Sequence, residues 1–205
     1  ALLQQRLGLD KRMLLFSWPS SSYLTYTGDA RDLERSVDEL NALLTLAAEA
    51  VGHDRIVLMA HSMGSRGVVD ALRARGQEAE FGSVIFIAPD MRRDVFSDNA
   101  SMLQQKASQV TVYTSDNDRV LWLSTTVNAS GRLGVAKEFD LEHATVIDIT
   151  PTGTNDISGH LYHMLNPAVI EDLRALLETD PPDAERAFRR APEDTPGFWR
   201  LEPVP

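Results

Sequence analysis

A mostly parallel α/β sheet with helices on both faces is the fold class this sequence predicts. Three observations predict it. Short apolar runs, several rich in β-branched residues, alternate four or five times with longer segments of helical character. The runs are continuously apolar rather than alternating, as strands covered on both faces are. Polar residues able to do chemistry follow the runs directly, where the ligand sites of such sheets lie.

The elements follow in order. Residues 2–8 read as the end of a helix closed by Gly8. Residues 12–19 read as a strand stopped by Pro19. A sheet entered from mid-helix, in a chain that begins at Ala1 without methionine, leads us to expect an upstream segment that supplies a further strand packed on the sheet. Residues 20–28 read as a loop carrying Tyr23 and Tyr26. Residues 29–51 read as one long helix, because Leu33, Val37, Leu40, Leu44, Ala48 and Val51 recur at spacings of three and four. Asp29 and Asp32 suit its N-terminus and Gly52 its end. A buried strand over residues 55–60 and a helix over 65–75, stopped by Gly76, come next. Residues 81–90 give a strand and its exit loop, 95–107 a weaker helix, 109–115 a strand and 119–127 a short helix. After a loop over 130–134, residues 144–150 read as the last strand and 151–159 as a polar loop. Asn166-Pro167 opens a helix running to Leu177. Beyond Asp180 the pattern gives way to Pro181-Pro182 and a charged tail, whose Phe198 and Trp199 could pack back on the body. The expected division is a domain over residues 1–180, incomplete at its N-terminus, and a proline-rich tail over 181–205.

Composition narrows the function classes. Thirty acidic against 20 basic residues give a net charge of -10, which argues against a nucleic-acid partner. The absence of cysteine excludes a thiol nucleophile, disulfides and cysteine metal sites. No run is long and apolar enough to span a membrane, and no signal peptide is visible, so the compartment stays open between the cytoplasm and export after processing. The oligomeric state is equally open. No cofactor is expected. His160 and His163 have a three-residue spacing but no carboxylates around them in a ligand pattern, so no metal is expected either. The glycines of residues 131–134 lack the lysine and the strand–helix context of a phosphate loop.

The chemistry centres on Ala60-His61-Ser62-Met63-Gly64. Strand before, helix after and small residues two positions to either side place Ser62 on a sharp strand-to-helix corner, the geometry of a nucleophile elbow. The competing reading is a serine that merely caps the helix. A serine hydroxyl needs a base, and the base an orienting acid. Among five histidines, His53 and His143 precede strands and lie at the wrong end of the sheet. The side chain of His61 should be turned elsewhere by the elbow. That leaves His160, after the last strand, as the base, with His163 in reserve; an ordinary surface histidine is the alternative. Asp118 and Asp116 both follow the strand ending near Ser115; Asp118, where the chain turns into its next element, is preferred, and Asp90 is a third candidate. The Met63 N–H would supply one oxyanion donor. Trp18, Tyr23 and Tyr26 are candidates to line a substrate pocket or simply to pack, and residues 91–93 read as a solvated charge cluster.

These stretches, Phe16-Ser17-Trp18-Pro19-Ser20, Ala60-His61-Ser62-Met63-Gly64, Ala88-Pro89-Asp90, Tyr113 through Arg119 and Gly159-His160, together resemble a bacterial α/β-hydrolase family catalogued as DUF900. The resemblance covers most of residues 1–177. It implies Ser62 as nucleophile, Asp118 as acid and His160 as base, in an esterase or lipase-like enzyme. It also implies a further strand with a His-Gly loop, before the helix ending at Gly8, that carries the second oxyanion donor. The expected function is a serine hydrolase acting on a small-molecule carboxylic ester. A thioesterase or amidase with the same triad, or a catalytically silent binding module on this fold, are the alternatives.

Overall fold

The computed structural model describes residues 2–19, 26–76, 81–128, 131–136, 141, 144–178, 189–190 and 197–203. Their order is α1 (Leu2–Leu7), α2 (Tyr26–Arg35), α3 (Val37–Val51), β1 (Val57–His61), α4 (Gly64–Ala74), β2 (Ser83–Ile87), α5 (Arg93–Lys106), β3 (Val110–Thr114), α6 (Arg119–Asn128), β4 (Thr145–Asp148), a short 3-10 turn (Thr150–Thr152), α7 (Tyr162–Leu165), α8 (Pro167–Glu178), β5 (Arg189–Arg190) and β6 (Phe198–Leu201). One sheet holds the strands in the order β1-β2-β3-β4-β6-β5. The first five in that order run parallel, and β5 pairs antiparallel with β6.

Successive side chains of a strand point to opposite faces, so each central strand feeds two cores. Val84, Phe86, Val110, Val112, Val146 and Phe198 pack with Leu40 and Leu44 of α3, Leu72 of α4 and Phe96 and Leu103 of α5. Ile85, Ile87, Tyr113, Ile147 and Leu201 pack on the other face with Leu7 of α1, Tyr162 of α7 and Val169 and Leu173 of α8. Every residue of β2 and β3 is buried, which is why these strands carry no charge and no exposed polar face. No helix among the described residues is long and apolar enough to cross a membrane.

Three elements depart from the sequence reading. The expected helix over residues 29–51 is two helices, because the chain breaks at Ser36 (φ -95°, ψ 7°). There the Ser36 N–H donates to the Leu33 carbonyl and its hydroxyl to the Asp32 carbonyl. The apolar stripe carries on across the break, with Leu33, Leu40, Leu44 and Ala48 buried, so spacing alone did not reveal it. The expected strand over residues 12–19 is not formed and pairs with no strand among the described residues, and Leu14 and Leu15 are exposed. An extended run becomes a strand only when a neighbour takes up its backbone groups. Finally, β4 is not the last strand of the sheet. Phe198–Leu201 pairs parallel with it and buries Phe198 and Leu201.

Candidate active site

The site is assembled at the C-terminal ends of β1, β3 and β4. Ser62 follows β1 directly and has φ 54°, a left-handed backbone that costs a non-glycine residue about 1–2 kcal/mol. The corner is stitched to the neighbouring strand end: the Ser62 N–H donates to the Ile87 carbonyl, and the Asp90 N–H donates to the Ser62 carbonyl. Ala60 is buried beneath it, and Met63 opens α4 at the helix N-terminus. The Trp18 indole lies over the start of that helix, since a β-carbon on Gly64 would sit 3.6 Å from its Cζ3. Ala88 at the end of β2 is also left-handed (φ 46°). Its N–H donates to the Tyr162 hydroxyl at 2.7 Å, and that hydroxyl donates in turn to the Tyr113 carbonyl. Burial holds the Tyr162 phenol well above its ordinary pKa, so it remains a donor.

Asp118 is fully buried at the head of α6. Its Oδ1 accepts the Leu121 N–H at 2.9 Å, a side-chain cap on the first turn of the helix. Its Oδ2 accepts from His160 Nδ1 at 2.6 Å. A carboxylate can only accept, so the proton of His160 sits on Nδ1 and the Nε2 lone pair is left for other work. Asp116 is exposed, and its N–H donates to the Thr150 hydroxyl. The choice between these two aspartates is thus reflected in position: Asp118 touches His160 and Asp116 lies on the surface.

The loop bearing His160 reaches Asp118 because of Gly159. Gly159 has φ 66°, and a β-carbon there would lie 2.2 Å from the Asn117 carbonyl oxygen. The Arg119 N–H donates to the Ser158 carbonyl, and the His160 N–H to the Ser158 hydroxyl.

The side chain of His61, expected to be turned away from Ser62 by the elbow, packs against His160 and His163. Its ring lies 4.6 Å from that of His160 and 4.4 Å from that of His163. Its Nε2 lies 3.1 Å from the His160 carbonyl oxygen. Burial, with His163 and His160 adding to it, lowers the His61 pKa to about 3; burial and His160 lower that of His163 to about 4. Both rings are neutral at ordinary pH. Alternation along β1 puts His61 on the face of Met59; that the His160 carbonyl meets it there depends on how the loop over residues 153–160 folds back, which no local signal gives. The nearness in sequence of two further histidines to the elbow and to His160 was the available hint.

The other candidates lie elsewhere. His53 edges onto Phe81 at the far end of the sheet. Asp90 belongs to a buried ionic cluster: Arg132 Nε donates to its Oδ1 at 3.1 Å, the Ser124 hydroxyl donates to the same oxygen at 2.8 Å, and Arg66 Nε donates to its carbonyl at 2.7 Å. Within residues 91–93, Met91 is a core residue rather than part of a solvated cluster, while Arg92 pairs with Asp94 on the surface. A cavity of about 370 Å³ opens between α4 and the start of α5, lined by Arg66, Met91 and Arg132; Ser62, Asp118 and His160 are not in its lining. Tyr23 and His143 lie outside the described residues, and of Tyr26 only the backbone, at the start of α2, is described.

The family model described as "Alpha/beta hydrolase of unknown function (DUF900)" matches residues 1–179. No curated protein and no solved structure matches the chain.

Proposed function

The chain belongs to the DUF900 alpha/beta hydrolases, and from that premise we propose that it cleaves carboxylic esters through an acyl-enzyme on Ser62. The observation that carries the reading is the buried 2.6 Å contact between His160 Nδ1 and Asp118 on the rim where the strained Ser62 turns into α4. In this reading the Ser62 hydroxyl attacks the ester carbonyl carbon and its proton passes to His160 Nε2. Asp118 fixes the tautomer and stabilises the imidazolium. The carbonyl oxygen becomes an oxyanion held by the Met63 N–H at the α4 N-terminus. As the intermediate collapses, the C–O bond to the leaving alcohol breaks and His160 returns the proton to that alcohol. Water then attacks the acyl group, giving a proton to His160, and Ser62 is released with the free acid. In this reading Trp18, whose indole lies over Gly64, borders the substrate.

Steady-state hydrolysis of p-nitrophenyl acetate tests this. Ser62→Ala should lower kcat by about 10⁴-fold or more, because triad members act as a unit. Parallel assays on a thioester and an anilide rank the leaving groups, and the ester should be the best of the three. A folded wild-type protein inert towards all three would instead support a binding module.

A further inference from the structure

We propose that His61 is a positioning residue for His160, holding the main chain of the base in place through a ring N–H donated to the His160 carbonyl. The inference rests on the serine-hydrolase reading. A carbonyl oxygen can only accept, so the 3.1 Å contact puts the His61 proton on Nε2. His61 is the last residue of β1 and pairs in register with Ile87, so the donor stands on the sheet itself. The acceptor is on a loop that lacks regular structure from Gly153 to His160. His160 is therefore fixed at three points: its Nδ1 by Asp118, its N–H by the Ser158 hydroxyl and its carbonyl by His61. The first two holds belong to the loop and to the head of α6. Only His61 ties the base to the strand that carries Ser62, one residue away.

The chemistry of the cluster fits this role. The groups facing His61 are the imidazoles of His160 and His163, with Asp118 behind His160. When His160 takes the Ser62 proton, a charged neighbour 4.6 Å away would oppose it. His61, lowered to about 3, and His163, lowered to about 4, stay neutral and do not. His61 thus donates a hydrogen bond without contributing a charge. The rings of His160 and His163 lie tilted against that of His61, at 52° and 39°, and no group of three metal-ligating side chains is formed among the described residues.

Three variants and one spectrum test the role. Glutamine places an amide N–H at about the reach of imidazole Nε2, whereas leucine and phenylalanine have no donor. His61→Leu and His61→Phe should lower kcat on p-nitrophenyl acetate about 10- to 100-fold with KM within about twofold, as a misplaced catalytic group does. His61→Gln should recover most of that loss although it, too, loses the stacked ring. A merely structural histidine would predict the reverse, with Phe the better replacement. Equal rates for Leu, Phe and wild type overturn the proposal while leaving the serine reading intact. A wild-type protein that a fluorophosphonate does not label at Ser62 overturns both. Should the apolar variants not fold, the ring ¹⁵N spectrum of the wild type decides. His61 as the Nε2–H tautomer, still neutral at pH 5, supports the clamp; the Nδ1–H tautomer, or titration near 6.5, overturns it.

Discussion

Replacing Gly159 by alanine perturbs the junction between the acid and the base with a single methyl group. The backbone there is left-handed at φ 66°, which costs an L-residue about 1–2 kcal/mol. The new β-carbon would lie 2.2 Å from the Asn117 oxygen and 2.9 Å from its carbon, and both atoms are backbone. Contacts under 3.0 Å are essentially never tolerated, so the two segments must part by about 0.8 Å, an overpacking cost of roughly 1–3 kcal/mol. The sum is roughly 2–5 kcal/mol of lost stability. The segments that part are those carrying Asp118 and His160, next to Asn117 and Gly159. A displacement approaching 1 Å at a catalytic group lowers the rate about 100-fold. Urea unfolding measures the first effect, and kcat on p-nitrophenyl acetate at a temperature where the variant stays folded measures the second. Wild-type kcat and midpoint in Gly159→Ala would refute the argument that glycine is required for this approach.

Other perturbations separate the remaining parts of the account. Asp118→Asn should reduce kcat about 10⁴-fold through loss of the tautomer and of imidazolium stabilisation, while Asp116→Asn, on the surface, stays within a few-fold; a larger effect at Asp116 reverses the assignment. Arg132→Ala leaves Asp90 buried without its closest cation, with Arg66 at 3.7 Å and the Ser124 hydroxyl still donating to it, and should cost up to about 3–5 kcal/mol in urea unfolding, far more than Arg92→Ala at the surface. Stability should fall with acid below about pH 6.5, because the unfolded chain protonates His61 and His163 at their ordinary value while the folded protein holds them at about 3 and about 4. Each contributes up to about 1.4 kcal/mol per pH unit, lost as pH falls from 6.5 towards those values and fully present above 6.5. His163→Gln should flatten the urea midpoint against pH between 6.5 and 4; an unchanged slope would mean that His163 is not buried neutral.

What was legible in the sequence was what short-range chemistry determines. The central strands announced themselves because both faces are covered and no charged residue interrupts them. The corner at Ser62 was legible because a tight reversal demands small neighbours, and Ala60 and Gly64 supply them. Asp118 was preferred to Asp116 because the chain turns into its next element there, and in the structure its carboxylate caps that helix at the Leu121 N–H. What was not legible depends on distant partners. The segment over residues 12–19 has the composition of a strand but joins no ladder among the described residues. Phe198–Leu201 is only four residues long and becomes a strand through pairing with β4, some fifty residues earlier. The ring of His61 finds its carbonyl partner on a loop about a hundred residues away, and Asp90 draws its partners from Arg66, Ser124 and Arg132 on three different segments.

The claim on which the account depends is that Ser62 is a nucleophile activated by His160. Reaction of the folded protein with a fluorophosphonate, followed by intact-mass measurement and peptide mapping, tests it most directly. The account predicts one phosphonyl adduct per chain, located on Ser62, absent in Ser62→Ala and formed at least about 100-fold more slowly in His160→Ala. An adduct on another serine, or Ser62 labelling at the same rate without His160, would contradict it.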